Sequence, residues 1–146
     1  MEILNKRARF DYFIEEEIEA GIVLTGTEIK SIREGKCNIK DCYGIVKNGE
    51  VFLLNMYIAE YKQGNIFNHE ETRSRKLLLH KKEIKKISQA IEINGLTLIP
   101  LKGYFKDNKF KILLGICKGK KNFDKRETIK ERDMKREVLK NIKNFK

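Results

Sequence analysis

Residues 96–126 read LTLIPLKGYFKDNKFKILLGICKGKKNFDKR, and the way this stretch divides decides the fold. Leu96 to Phe105 and Lys109 to Cys117 are two strand-like runs joined across Asp107 and Asn108, a pair suited to a tight hairpin. Pro100 cannot donate to a ladder, which puts the first run at an edge or a bulge. After Cys117 the apolar pattern stops and a lysine-rich run begins, so a folded body over 1–117 is expected to end there. From Lys118 onward there are 12 Lys or Arg against 5 Asp or Glu, whereas residues 1–117 carry 20 against 16. A segment this polar cannot build its own core, and its sign points to a polyanionic partner on which it orders. Gly119 between lysines lets backbone approach a phosphate closely, and Phe123 offers a face for base stacking.

Working outward, the chain of 146 residues accommodates one domain and an appendage. Charged residues make up 36% of it, with a net charge of +11, the footprint of a nucleic-acid binder. No apolar run approaches the roughly 18 residues of a membrane span, and Met1-Glu2-Ile3-Leu4-Asn5 lacks the order of a signal peptide. A cytoplasmic protein with no membrane partner is expected.

Asn5-Lys6-Arg7-Ala8-Arg9 is a basic patch before the first strand. Tyr12, Ile14 and Ile18 then alternate with Phe13, Glu15, Glu17 and Glu19, the period of a strand with one acidic face. Glu19 is the exception on that face, because a carboxylate can accept from a base amino group. Gly21 marks a bulge or barrel corner. Residues 25–35 read as a short helix capped by Thr27, with Glu28 complementing its dipole and Gly35 as its stop.

Cys42–Lys47 and Glu50–Ala59 form a hairpin across Asn48 and Gly49. Residues 61–72 read as a loop. Arg73, Arg75 and Lys76 feed a leucine strand that ends at His80, and residues 81–93 form a helix with Ile84, Ile87 and Ile91 on one stripe. Roughly six strands with two inserted helices predict a mainly β fold, a small antiparallel barrel of the oligonucleotide-binding (OB) kind. In the tail, Met134, Val138, Ile142 and Phe145 fall at helical spacing. An isolated basic helix of this length is marginal, so residues 118–146 are expected to be disordered when free and helical when bound.

No convergent nucleophile, base or metal set is visible, so no catalytic residue, cofactor or metal is expected. Cys37, Cys42 and Cys117 lack metal or redox spacing and read as reduced, small core residues.

Several motifs in order resemble the SsrA-binding protein (small protein B) family of bacterial trans-translation. They are Asn5-Lys6-Arg7-Ala8, Glu19-Ala20-Gly21-Ile22, Gly26 to Arg33, Arg73 to His80, Thr97 to Lys102 and Gly115 to Arg126. The resemblance implies an RNA-binding barrel that holds the tRNA-like domain of transfer-messenger RNA (tmRNA, SsrA RNA). It would deliver that RNA, as alanyl-tmRNA with elongation factor Tu and GTP, to stalled ribosomes for rescue and peptide tagging, acting as a monomer.

By the same likeness Asn5, Lys6, Arg7, Glu19, Leu78, His80 and Lys111 meet the RNA, Lys118, Lys120 and Lys121 extend that surface, and the Arg73, Arg75, Lys76 cluster joins it. Phe123, Asp124, Lys125 and Arg126 would lie at the small-subunit decoding centre. The tail would become a helix in the empty mRNA channel, anchored by Val138 and Leu139. Glu71 and Phe123 depart from the family pattern. The alternative is a general single-stranded-RNA-binding or ribosome-assembly protein on the same OB barrel.

Overall fold

The computed structural model describes residues 1–62, 68–121 and 124–134. In chain order the elements are β1 (Glu2–Leu4), the single turn α1 (Ala8–Asp11), β2 (Tyr12–Ile22), α2 (Gly26–Arg33), β3 (Cys37–Asn38), β4 (Tyr43–Lys47), β5 (Glu50–Leu54), β6 (Tyr57–Ile58), β7 (Arg75–Leu78), α3 (Lys81–Glu92), β8 (Thr97–Lys106) and β9 (Lys109–Gly119). A further helix, α4, covers residues 124–134.

Six strands close a ring in the order β8-β4-β5-β7-β2-β9, and β9 pairs back onto β8, all antiparallel. The fold is therefore the mainly β antiparallel barrel expected, with three extra short strands. β1 lies along β8, and β3 pairs β6 in a separate two-stranded sheet. Both hairpin tips have the left-handed backbone their residues favour, with φ of 52° and 72° at Asn48 and Gly49 and of 51° and 64° at Asp107 and Asn108.

Closure is narrowest between β4 and β8, where only Gly44 pairs with Leu98. A Cβ at residue 44 would overlap the Leu98 side chain, so the seam requires glycine. β8 slips register between Pro100 and Lys102, the bulge that its proline demanded. In β2 the slip lies between Ile14 and Glu16 instead of at Gly21. Gly21 is the corner where β2 stops pairing β9 and takes up β7.

The barrel is filled by inward residues of every long strand, including Ile18, Ala20, Leu53, Leu77, Leu98, Ile112 and Leu114. α2 and α3 add Ile32 and Ile87. A smaller cluster lies outside the barrel, where Ala8 of α1 covers Ile99, Leu101 and Cys117. Cys37, Cys42 and Cys117 are free. Burial pushes their thiols up to about 11, 12 and 11, which keeps them protonated and inert.

The cap of α2 lies two residues earlier than the sequence reading put it. Thr25 is the cap: its hydroxyl accepts from the Glu28 amide while the Glu28 carboxylate accepts from the Thr25 amide at 2.9 Å. Glu28 does more than complement a dipole, since it is wholly buried and its two oxygens each accept from a guanidinium, Arg73 Nη2 and Arg75 Nε, both at 2.5 Å.

Candidate nucleic-acid interface

The register aligns one row of outward positions across five strands: Glu2 of β1, Tyr104 of β8, Lys111 of β9, Gly21 of β2 and Leu78 of β7. Two residues along lies a second row of Leu4, Lys102, Leu113 and Glu19. Because successive side chains alternate faces, both rows share the outer surface. Gly21 has no side chain to fill its place between Lys111 and Leu78. There the surface sinks into a cleft of about 360 Å³ lined by Glu19, Gly21, Leu78, Leu79, His80, Glu83 and Lys111. A Cβ on residue 21 would stand 3.2 Å from the Leu78 Cβ and 3.6 Å from the Lys111 Nζ, so glycine makes the floor.

Four residues expected at the RNA, Glu19, Leu78, His80 and Lys111, thus meet in one place from three strands and a helix start. Leu78 is 53% exposed and offers an apolar contact at the rim of the cleft. His80 caps α3, its amide donating to the Glu83 carboxylate at 2.9 Å. Glu19 is held by Tyr104, whose hydroxyl donates to it, and by Lys106 at 3.5 Å. The Tyr104 hydrogen bond and then the nearby lysine charges keep the Glu19 carboxyl below its ordinary value, so it stays an acceptor. Burial and the Glu19 carboxylate push Tyr104 up to about 12, so it stays a donor. An ionised acceptor, a lysine and an exposed leucine around one concavity suit a base edge flanked by a phosphate.

A second group lies toward α1 and the end of β9. Asn5 is turned inward, its Nδ2 donating to the Pro100 carbonyl at 2.9 Å, while Lys6 and Arg7 are exposed. Lys118 and Lys121 are exposed at the end of β9 and beyond it. Lys120 is engaged within the protein, its Nζ donating to the Arg9 carbonyl at 3.0 Å and to the Thr128 hydroxyl at 2.7 Å.

Arg75 is a correction. Expected on the surface, it is wholly buried, with Nε on Glu28 and Nη1 on the Met56 carbonyl. Arg73 is turned in beside it on the same carboxylate, leaving Lys76 as the exposed member of that cluster, paired to Glu50 at 3.0 Å. The cluster fastens α2 to β7 more than it presents charge. Asp124 and Lys125 are partly buried and Arg126 is exposed, whereas Phe123, Val138 and Leu139 lie outside the described residues.

Sequence reasoning missed Tyr104, Lys106 and the role of Gly21. The strand register would have revealed the first, since Tyr104 and Glu19 belong to adjacent rows, but register cannot be read from a single strand. Among the described residues no group of three or more His, Cys, Asp or Glu side chains could hold a metal ion. Nor is any helix among them long and apolar enough to cross a membrane.

The family model described as SmpB protein matches residues 2–144. The chain is 60% identical to the SsrA-binding protein of Shouchella clausii over 139 residues, covering 95% of this chain and 89% of that one. It is 59% identical to the SsrA-binding protein of Acetivibrio thermocellus over 143 residues, covering 97% and 93%. It also resembles a chain from a solved structure described as "tmRNA-SmpB: a journey to the center of the bacterial ribosome". That match has a TM-score of 0.69 at 44% identity and covers 88% of this chain and 94% of that one.

Proposed function

The chain belongs to the SmpB protein family, and from that premise we propose that it binds the tRNA-like domain of tmRNA through the outer face of β8, β9, β2 and β7, with the Glu19–Leu78–His80–Lys111 cleft at its centre. It is an RNA-binding protein and not an enzyme, and it brings tmRNA to ribosomes stalled in translation. The observation that carries this reading is the convergence of those four residues on the glycine floor at Gly21. A single-strand binder of general use would instead present a row of exposed aromatics.

The finer parts of the function rest on the family likeness. Alanyl-tmRNA travels with elongation factor Tu and GTP, the protein acts as a monomer in the cytoplasm, and the helix beyond the barrel lies in the vacant mRNA channel. Lys6, Arg7, Lys76, Lys118 and Lys121 supply phosphate contacts around the cleft. Their number sets the salt dependence, with the logarithm of affinity falling by about 0.7 to 0.9 per contact for each tenfold rise in salt.

Competition between tmRNA and an unrelated RNA of equal length, at physiological salt, tests the reading. The expected result is a preference of at least about a thousandfold, the lower end of the range by which specific exceeds non-specific nucleic-acid binding. Equal competition would leave only a general polyanion binder.

A further inference from the structure

β9 leaves the sheet beside α1. Tyr12 pairs with Gly119, and the next amide, Lys120, donates to the Asp11 carbonyl at 2.8 Å. From there the chain turns into α4, whose residues 125, 128 and 132 fall on one face at the i, i+3, i+7 spacing of a helix stripe. That face is polar, and it meets α1 at three points.

Lys125 Nζ lies 3.4 Å from Asp11 Oδ1. Thr128 accepts from Lys120 Nζ, which also binds the Arg9 carbonyl. Phe10 is ringed by cations from both sides of the joint, with Arg7 at 4.9 Å, Lys125 at 5.9 Å and Arg132 at 5.6 Å from its centroid. Asp11 is shared, because Arg7 reaches the same carboxylate oxygen at 3.4 Å.

We propose that Asp11 and Phe10 form a clamp on the barrel that fixes the direction in which the tail helix leaves it, and that Lys125 is a positioning residue acting through this clamp. The inference rests on the ribosome-delivery reading for its purpose, though not for its geometry. A helix meant to enter a channel is useful only if its axis is set relative to the RNA-holding face, and contacts between α4 and α1 can set it. Polar and cation–π contacts suit this task, since each contributes little at an exposed site and together they orient without locking. The clamp therefore loosens with salt, and its carboxylate is the element whose charge decides it.

Arg7 belongs to the RNA surface and also to the clamp, so RNA contact and tail direction share one residue. Lys125 does not need to touch the ribosome to matter. Its loss would misdirect the helix while leaving the cleft around Glu19 and Lys111 untouched.

The test is a charge exchange. Lys125→Asp and Asp11→Lys each place like charges at the joint, and each should lower tagging of nascent chains on stalled ribosomes about fivefold, the equivalent of a surface ion pair's upper range. The double variant Asp11→Lys with Lys125→Asp should recover most of the activity, and Lys125→Asp should keep tmRNA affinity within about threefold of wild type. In the same proteins, NMR cross-relaxation between the Phe10 ring and the Arg132 side chain, which none of the variants alters, should be present in wild type, absent in Lys125→Asp and restored in the double variant. Loss in Lys125→Asp that the second exchange fails to rescue would overturn the clamp and make Lys125 a direct ribosome contact. Absence of the cross-relaxation in the wild-type protein would overturn it as well. A wild-type protein that shows the cross-relaxation but supports no tagging would refute the delivery reading and leave the clamp standing.

Discussion

Replacing Glu28 by glutamine keeps the side chain's shape and removes its charge. Two guanidinium groups then lose their counter-ion, one of them wholly buried. The glutamine also turns an amide donor toward a site where Arg73, Arg75 and the Thr25 amide all donate. Breaking a buried ion pair by removing one partner costs about 3–5 kcal/mol, against a total stability of about 5–15 kcal/mol for a domain. With a urea slope of about 2 kcal/mol per molar, the unfolding midpoint followed by circular dichroism should drop by about 2 M.

A companion variant, Glu28→Leu with Arg75→Met, removes the buried charges together, and such replacements are often neutral or stabilising. Arg73 is part-exposed and can turn to solvent. The companion should regain most of the lost stability and bind tmRNA as the wild type does, because Arg75 never reaches the surface. A midpoint shift under about 0.3 M for Glu28→Gln would refute the charge accounting. A stable companion that binds tmRNA tenfold more weakly would show that Arg75 belongs to the interface after all.

Burial alone would raise the Glu28 carboxyl, but hydrogen bonds from Arg73, the Thr25 amide and Arg75 outweigh it and hold the group below its ordinary 4.5. A folded value below the unfolded one gives stability that is complete above the ordinary 4.5 and is lost as pH falls through the lowered folded value, so Glu28→Gln should flatten the acid limb of a stability profile below about pH 5. Gly44→Ala should cost about 1–3 kcal/mol by forcing the β4–β8 seam apart, measured by urea melts, with RNA affinity preserved in the fraction that remains folded. Tyr104→Phe should leave the melt unchanged, raise the Glu19 pKa seen by carboxyl NMR, and weaken tmRNA binding about threefold to tenfold, the range of an ordinary hydrogen bond.

What was legible in the sequence is what local chemistry dictates. Asn48-Gly49 and Asp107-Asn108 announced their turns because left-handed backbone is a property of the residues themselves. The stripe of Ile84, Ile87 and Ile91 announced α3 for a similar reason. The cap of α2 was also present in the sequence, as Thr25 followed three residues later by Glu28, and was misassigned to Thr27 because both threonines stand before the apolar residues. β1 and β3 escaped detection because strands of two or three residues have no period of their own and exist only through pairing, and the strand read over Glu50–Ala59 is broken into β5 and β6 at Asn55, whose φ is 64°.

The fate of Arg75 was illegible for a physical reason. An arginine belongs at the surface unless a carboxylate meets it inside, and its partner lies 47 residues away on another element. For the site, the residues were legible through likeness, whereas their convergence on Gly21 needed the register of three strands. The joint between Phe10, Asp11 and α4 likewise joins residues more than a hundred positions apart.

The most direct measurement is the backbone amide spectrum of the labelled protein titrated with the tRNA-like domain of tmRNA. Shifts should concentrate at Glu19 to Gly21, Leu78 to His80, Tyr104 and Lys111, and the amides of Ile45, Val51 and Phe52 on the far strands should stay in place. Shifts centred on those far strands, or spread evenly over every lysine-bearing surface, would contradict the assignment of the cleft.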